Sequence, residues 1–279
     1  MRARRTSITS ILITVISLAV AVVWIFPLYW AVNTSLTVDT KTVQVPPSWF
    51  PTPLIFDAYV YVIKNTMIIR WYFNTVIDSL AVTVAVLFLA LMWSYALSQI
   101  KFRGSRFVFM AILAGLMIPW ATNVVPLFMF MNQLRLVNSY WGVILPQLAA
   151  PPAVVTAVVY KRFFDQMPQE LSDAAHMDGA GEMRILFRLF FPLNTGITWA
   201  LAITMFVYVW NNFFWPFIVI NSTPMMTIPI GITQVQSWYG IAYSRQMASA
   251  VLAALPTVIL YLIFQRRVAE GVAITSGIR

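Results

Sequence analysis

The sequence predicts an all-α integral membrane protein with six transmembrane helices. Three observations predict it. Hydrophobic residues make up 60% of the 279-residue chain and charged residues 10%, where a soluble domain carries roughly 25% charge. Long stretches free of Asp, Glu, Lys and Arg meet the requirement of about 20 apolar residues per bilayer crossing. The basic residues gather in alternate connections between those stretches, as expected when positive charge marks the cytoplasmic side.

Thr6–Val38 gives the first span, Ser79–Ile100 the second, Phe107–Leu134 the third and Leu136–Tyr160 the fourth. Leu189–Ser244 is too long for one span; its polar, proline-containing half from Asn221 reads as a loop, leaving a fifth span near 193–220. Gln246–Gln265 gives the sixth. The first run follows Arg2, Arg4 and Arg5 but is too long for a signal peptide, and it carries Trp24, Pro27, Tyr29 and Trp30. It reads as an uncleaved span. Six spans place both termini on one side. With that side cytoplasmic, Arg2, Arg4, Arg5, Lys101, Arg103, Arg106, Lys161, Arg162, Arg184, Arg188, Arg266, Arg267 and Arg279 are inside, and Lys41, Lys64, Arg70, Arg135 and Arg245 outside. The expected organisation is one transmembrane domain over 1–279, with outer loops 33–78 and 221–245 and a cytoplasmic loop 165–192. In the first outer loop Pro46, Pro47, Pro51 and Pro53 favour extended chain. Beyond them Phe56, Tyr59, Val60, Ile63 and Met67 recur at helical spacing, predicting a helix on the outer surface.

Composition excludes several function classes. The chain has no cysteine and a single histidine, so disulfide, thiolate and histidine-cluster metal chemistry have no residues to use. Its net charge of +9 lies in short loops and tails and reads as topology rather than nucleic-acid binding. No lysine follows a glycine, so no phosphate-cradling G-x-x-x-x-G-K-[ST] loop is present; any ATP and Mg2+ must be bound by partner subunits, and no cofactor is expected in this chain. Asp78, at the outer edge of span two, reads as interfacial. With no ionisable pair inside a span, a proton- or sodium-driven carrier is disfavoured.

The polar breaks within spans carry more information. Pro119 and Pro126 flank Asn123; Pro146, Pro151 and Pro152 surround Gln147; Trp210, Asn211 and Asn212 stand in span five. Intramembrane amides either hydrogen-bond between helices or face a wet cavity where broken backbone is tolerated. Asn123, Gln147 and Asn211, with Trp210 and Asn212, are the candidates to border a polar pathway.

The acidic, small-residue segment from Glu170 to Ala180 interrupts this apolar chain. Leu171, Ala174 and Ala175 fall at i, i+3 and i+4, one face of a short helix. Pro168 suits its first turn and Gly179 its C-terminal stop. His176 reads as a solvated loop residue. The segment has the makings of a docking element, with Glu170, Leu171, Asp173, Ala174, Ala175, Met177, Asp178, Gly179 and Ala180 as its contact residues.

Asp173-Ala174-Ala175, Gly179 and Leu189-Phe190-Phe191-Pro192 resemble the EAA motif of binding-protein-dependent ABC importer permeases: E-A-A, three residues, G, nine residues, I-x-L-P. Phe73-Asn74-Thr75, Ser94-Tyr95-Ala96-Leu97, Phe102-Arg103-Gly104 and Trp210-Asn211-Asn212-Phe213 are similar to stretches of the maltose-type, MalG-like carbohydrate permeases. Asp173 stands for the usual Glu, Leu189 and Phe191 for Ile and Leu, and Asn212 for a frequent acidic residue. The tail Thr275–Arg279 matches only in part. The resemblance implies a type I ABC importer permease fold in a bacterial or archaeal-type cytoplasmic membrane, with both termini inside. It implies a second permease subunit, two cytoplasmic ATPase subunits and an extracytoplasmic solute-binding protein as partners, and an EAA loop that docks on an ATPase. A polytopic membrane enzyme, such as a glycosyl or acyl transferase, is the alternative. It would need acid, base or metal-ligating side chains at the membrane face, and the acidic cluster Asp165–Glu182 fits the docking motif instead. A scaffold without transport is a third reading.

Overall fold

The computed structural model describes residues 8–100, 102–235 and 242–276, with side chains described over 11–264 among them. Arg2, Arg4, Arg5, Lys101 and the Gly277–Arg279 end of the tail lie outside the described residues. Arg266, Arg267, Thr275 and Ser276 are described by backbone alone.

Every regular element among the described residues is helical. In chain order they are α1 (Ile8–Ser35), α2 (Asp39–Thr42), α3 (Asp57–Asn65), α4 (Ile68–Tyr95), α5 (Ser105–Leu116), α6 (Trp120–Gln133), α7 (Tyr140–Gln147) and α8 (Pro151–Asp165), then α9 (Gln169–Met177), α10 (Glu182–Ile185), α11 (Phe191–Leu193), α12 (Thr195–Trp210), α13 (Phe214–Val219), α14 (Ile228–Gly231) and α15 (Tyr243–Ser276). α1, α4 with the π turn Ala96–Ile100 that follows it, and α15 are each long and apolar enough to cross a membrane. Three bent pairs meet the same length and composition requirement together, making six crossings if each pair is one span: α5 with α6 at 97°, α7 with α8 at 43°, and the Glu182–Leu193 arm with α12 at 83°. Each bend has a local cause. Pro119 precedes α6, and a residue before proline is pushed out of the helical region; Pro151 and Pro152 open α8, where a missing N–H costs nothing. At the third bend Asn194 turns its amide back to the Phe190 carbonyl at 2.8 Å.

The chain divides into two compact units. One holds Met1–Ile68 and Ile232–Leu255. In it, the apolar window of α1 is exposed on all sides. The Tyr59 and Ser35 hydroxyls meet at 2.7 Å, tying α3 to the end of α1. Asp39 caps the start of α15, its Oδ1 accepting from the Ser244 N–H at 3.0 Å and hydroxyl at 2.6 Å. The Arg245 guanidinium lies 3.7 Å from the Tyr61 ring centre. The helix expected after the prolines is present as α3, but its inward residues are Ala58 and Val62. Phe56, Val60, Ile63 and Met67 are exposed.

The other unit holds Ile69–Gly231 and Pro256–Arg279. Span two begins at Ile68, well before Ser79, and takes Arg70 and Asp78 into the helix. The early start is stabilised by polar partners on a distant segment. Asn74 donates to the carbonyls of Pro224 and Met226, both at 2.8 Å, and accepts from the Tyr140 hydroxyl at 2.6 Å. The Trp71 indole donates to Thr223 O at 2.9 Å, and the Thr75 hydroxyl accepts from Ile228 N–H at 2.8 Å. Asn74 and Thr75 of the Phe73-Asn74-Thr75 motif thus anchor the 224–228 backbone, pairing main-chain groups that no helix ladder satisfies. A second apolar core, around Tyr95, Tyr160, Phe164, Ile185, Leu186 and Phe190, lies where α4, α8 and α10 end. There Phe190 meets Tyr95 and Phe164 edge to face, with ring centres 5.1 and 5.3 Å apart.

Candidate functional site

The loop helix α9 forms where local signals predict it, with Pro168 one residue before its first turn. It ends in a Schellman arrangement. Gly179 takes φ +76°, its N–H donates to His176 O at 2.9 Å, and Ala180 N–H donates to Ala175 O at 3.0 Å. A Cβ at Gly179 would meet no atom within 4 Å beyond its chain neighbours, so the glycine is required by backbone conformation and not by crowding at that carbon.

The expected Leu171, Ala174 and Ala175 face is split. Ala175 and Ala180 pack on the core around Tyr95 and Phe190, while Leu171 and Ala174 are exposed. The segment is seated through its small residues, which let the helix approach its own chain. The outward residues are Glu170, Leu171, Asp173, Ala174, Met177 and Asp178. Met177 is 89% exposed, an apolar side chain presented on an otherwise polar turn.

His176 is not simply solvated. Its Nδ1 lies 2.8 Å from Ser172 O and its Nε2 2.9 Å from Glu182 Oε1. The other Glu182 oxygen accepts from the Tyr95 hydroxyl at 2.6 Å. The hydrogen bond to Glu182, then the one to Ser172, raises the His176 pKa above the ordinary histidine value. Sequence reasoning missed Ser172, Glu182 and Tyr95 as parts of this site. A histidine and a glutamate on either side of a glycine turn were the available signal.

The polar breaks behave differently from one another. Gln147 is buried and central to a network. Its Nε2 donates to Asp78 at 3.1 and 3.2 Å and to Val143 O at 3.0 Å, and its Oε1 accepts from Asn212 Nδ2 at 3.0 Å. Asp78, expected at the interface, is instead buried within the protein: it is 2% exposed inside α4, and Gln147 bridges it to Asn212. Trp210 is buried and stacks on Phe206, ring centres 5.7 Å apart. Asn123 and Asn211 are exposed, with the Asn211 amide donating to Val207 O at 2.8 Å. The structure joins Gln147 and Asn212 and leaves Asn123 and Asn211 on the surface. A cavity of about 660 Å³ walled by Leu87, Phe88, Trp199, Phe206, Leu260 and Phe264 is apolar and offers a polar solute little to replace its hydration.

The family described as binding-protein-dependent transport system inner membrane component matches residues 87–273. The chain belongs to that family. It is the membrane-spanning permease of an ABC importer, and such permeases work with ATPase and solute-binding partners. The permease is 34% identical over 277 residues, 98% of each chain, to the arabinooligosaccharides transport system permease protein AraQ of Halalkalibacterium halodurans. It is 26% identical over 260 residues, 90% of this chain and 91% of the relative, to the sn-glycerol-3-phosphate transport system permease protein UgpE of Brucella abortus. Its fold resembles a chain in the crystal structure of a bacterial ABC transporter involved in the import of the acidic polysaccharide alginate. That likeness has a TM-score of 0.83 at 19% identity and covers 95% of the permease and 98% of that chain.

Proposed function

We propose that this permease imports a sugar or sugar-like solute, taken from an extracytoplasmic binding protein, through a path shared with a second permease subunit. The 98% overlap with an oligosaccharide permease carries the reading. In it, α9 rests on one of two cytoplasmic ATPase subunits, which hold ATP and Mg2+. Closure of the ATPase pair then moves α9 together with the core on which Ala175 and Ala180 sit. ATP must favour one permease state over the other, since equal affinity for both shifts nothing. Co-purification of an ATPase and ATP-dependent uptake of an oligosaccharide in liposomes test the function; a chain that purifies without an ATPase partner would contradict it.

We propose further that both termini are cytoplasmic, from the distribution of basic residues. The cysteine-free chain permits a direct check by single-cysteine labelling at the exposed positions Val60, Met177 and Gln234. An impermeant reagent applied outside is expected to label positions 60 and 234 and to reach 177 only in inverted vesicles. Outside labelling at 177 would reverse the orientation.

Asn123 and Asn211 are assigned to the pathway wall shared with the second subunit. Leucine at either exposed site should change stability by less than about 0.5 kcal/mol, while uptake falls severalfold with ATPase binding intact. Wild-type uptake in both variants would remove them from the pathway.

A further inference from the structure

We propose that His176 and Glu182 form a proton-dependent clamp that fixes α9 against the inner end of α4, so that coupling to the ATPase weakens when His176 loses its proton. The coupling half of this rests on reading α9 as the ATPase contact; the clamp itself does not.

The geometry demands two donors from one imidazole. Nδ1 faces a backbone carbonyl at 2.8 Å and Nε2 faces a carboxylate oxygen at 2.9 Å. A carbonyl only accepts, and so does a carboxylate. A neutral imidazole has one N–H and can serve one of them; the protonated ring serves both. Deprotonation therefore removes one bond, either the one within α9 or the one that crosses Gly179 to α10. The crossing bond is the consequential one, because the same carboxylate accepts from Tyr95 on α4 at 2.6 Å. Through Glu182 the loop helix is tied to a transmembrane helix on its polar side, as Ala175 and Ala180 tie it on the apolar side.

The charges acting on His176 are Glu182 from α10 and Asp173 on α9 itself, and both favour the protonated ring. Tyr95 acts through Glu182, and its hydroxyl is also in side-chain hydrogen-bond contact with Ser172 of α9. The side chains of the pair are 45% and 47% exposed, so the site exchanges protons with the surrounding solution. With a raised histidine pKa, the clamp is complete below the ordinary histidine range of about 6.5 and is lost as pH rises through the raised value. Glu182 and Tyr95 are positioning residues: neither is assigned a contact with solute or nucleotide.

The chain offers an unusually clean test, because it contains a single histidine. The imidazole signal of the full chain, purified in detergent without a polyhistidine tag, reports His176 alone. Its titration midpoint is expected above that of an unstructured histidine and should fall toward it in Glu182→Gln. Equal midpoints in the two chains would overturn the clamp. In the assembled transporter in liposomes, solute moved per ATP hydrolysed is expected to drop about twofold to tenfold from pH 6 to pH 8.5, the loss of one hydrogen bond. In His176→Gln the profile should be flat and low with the ATPase still bound. A shifted titration with no difference between the pH profiles of wild type and His176→Gln would overturn the coupling role while leaving the clamp. Failure of the wild type to retain its ATPase would overturn the docking reading and the coupling role together.

Discussion

Gly179→Leu is expected to uncouple the transporter while leaving the permease inserted and folded. A leucine at φ +76° meets a backbone penalty of about 1–2 kcal/mol, a factor of roughly 5–30 in the population of the seated turn. The first carbon of a side chain there meets open space, so the strain lies in the backbone and not in a clash at that carbon. Gly179 is exposed and follows Met177 and Asp178 in the chain, so the added bulk falls on the surface assigned to the ATPase. Solute uptake and solute-stimulated ATP hydrolysis should fall about tenfold or more, with membrane levels unchanged. Gly179→Ala separates the two effects, since it keeps the backbone penalty and loses the bulk. An intermediate loss in alanine indicates both; equal loss indicates backbone alone. Unaltered coupling in Gly179→Leu would make α9 a mere connector.

Gln147→Leu is expected to damage the fold before it damages transport. The amide is the shared partner of Asp78 and Asn212. Its removal leaves a buried carboxylate and an amide short of hydrogen bonds, at about 1–3 kcal/mol for each. The purified chain should lose roughly 5 °C or more in Tm. Asp78→Leu combined with Gln147→Leu should recover part of that loss, because replacing both partners of a buried pair by apolar groups costs less than orphaning one. Normal Tm with abolished uptake would return Gln147 to the pathway wall.

The spans were legible because their signal is run length, which needs no tertiary knowledge. Their ends and bends were less so. Ser79 marked the start of span two only because Asp78 and Arg70 precede it. In the fold Asp78 finds Gln147, and Asn74 finds backbone about 150 residues away, and no local pattern announces partners at that separation. α9 and its stop at Gly179 were legible because capping is local. The inward turn of Ala175 was not, since the core it meets is assembled from α4, α8 and α10. His176 could have been read further, as its partner Glu182 is six residues away. Asn123 and Asn211 retain the surface exposure that a pathway requires. Gln147 does not, because the carboxylate that satisfies it is supplied by another helix.

The central claim is that α9 is the surface on which the ATPase acts. A photoreactive side chain in place of Met177, the most exposed large apolar residue of the helix, tests it in the assembled transporter under ATP turnover. The account predicts a covalent adduct between this permease and an ATPase subunit, absent when the same group replaces Val60. An intact, hydrolysing complex that forms no adduct from position 177 would contradict it.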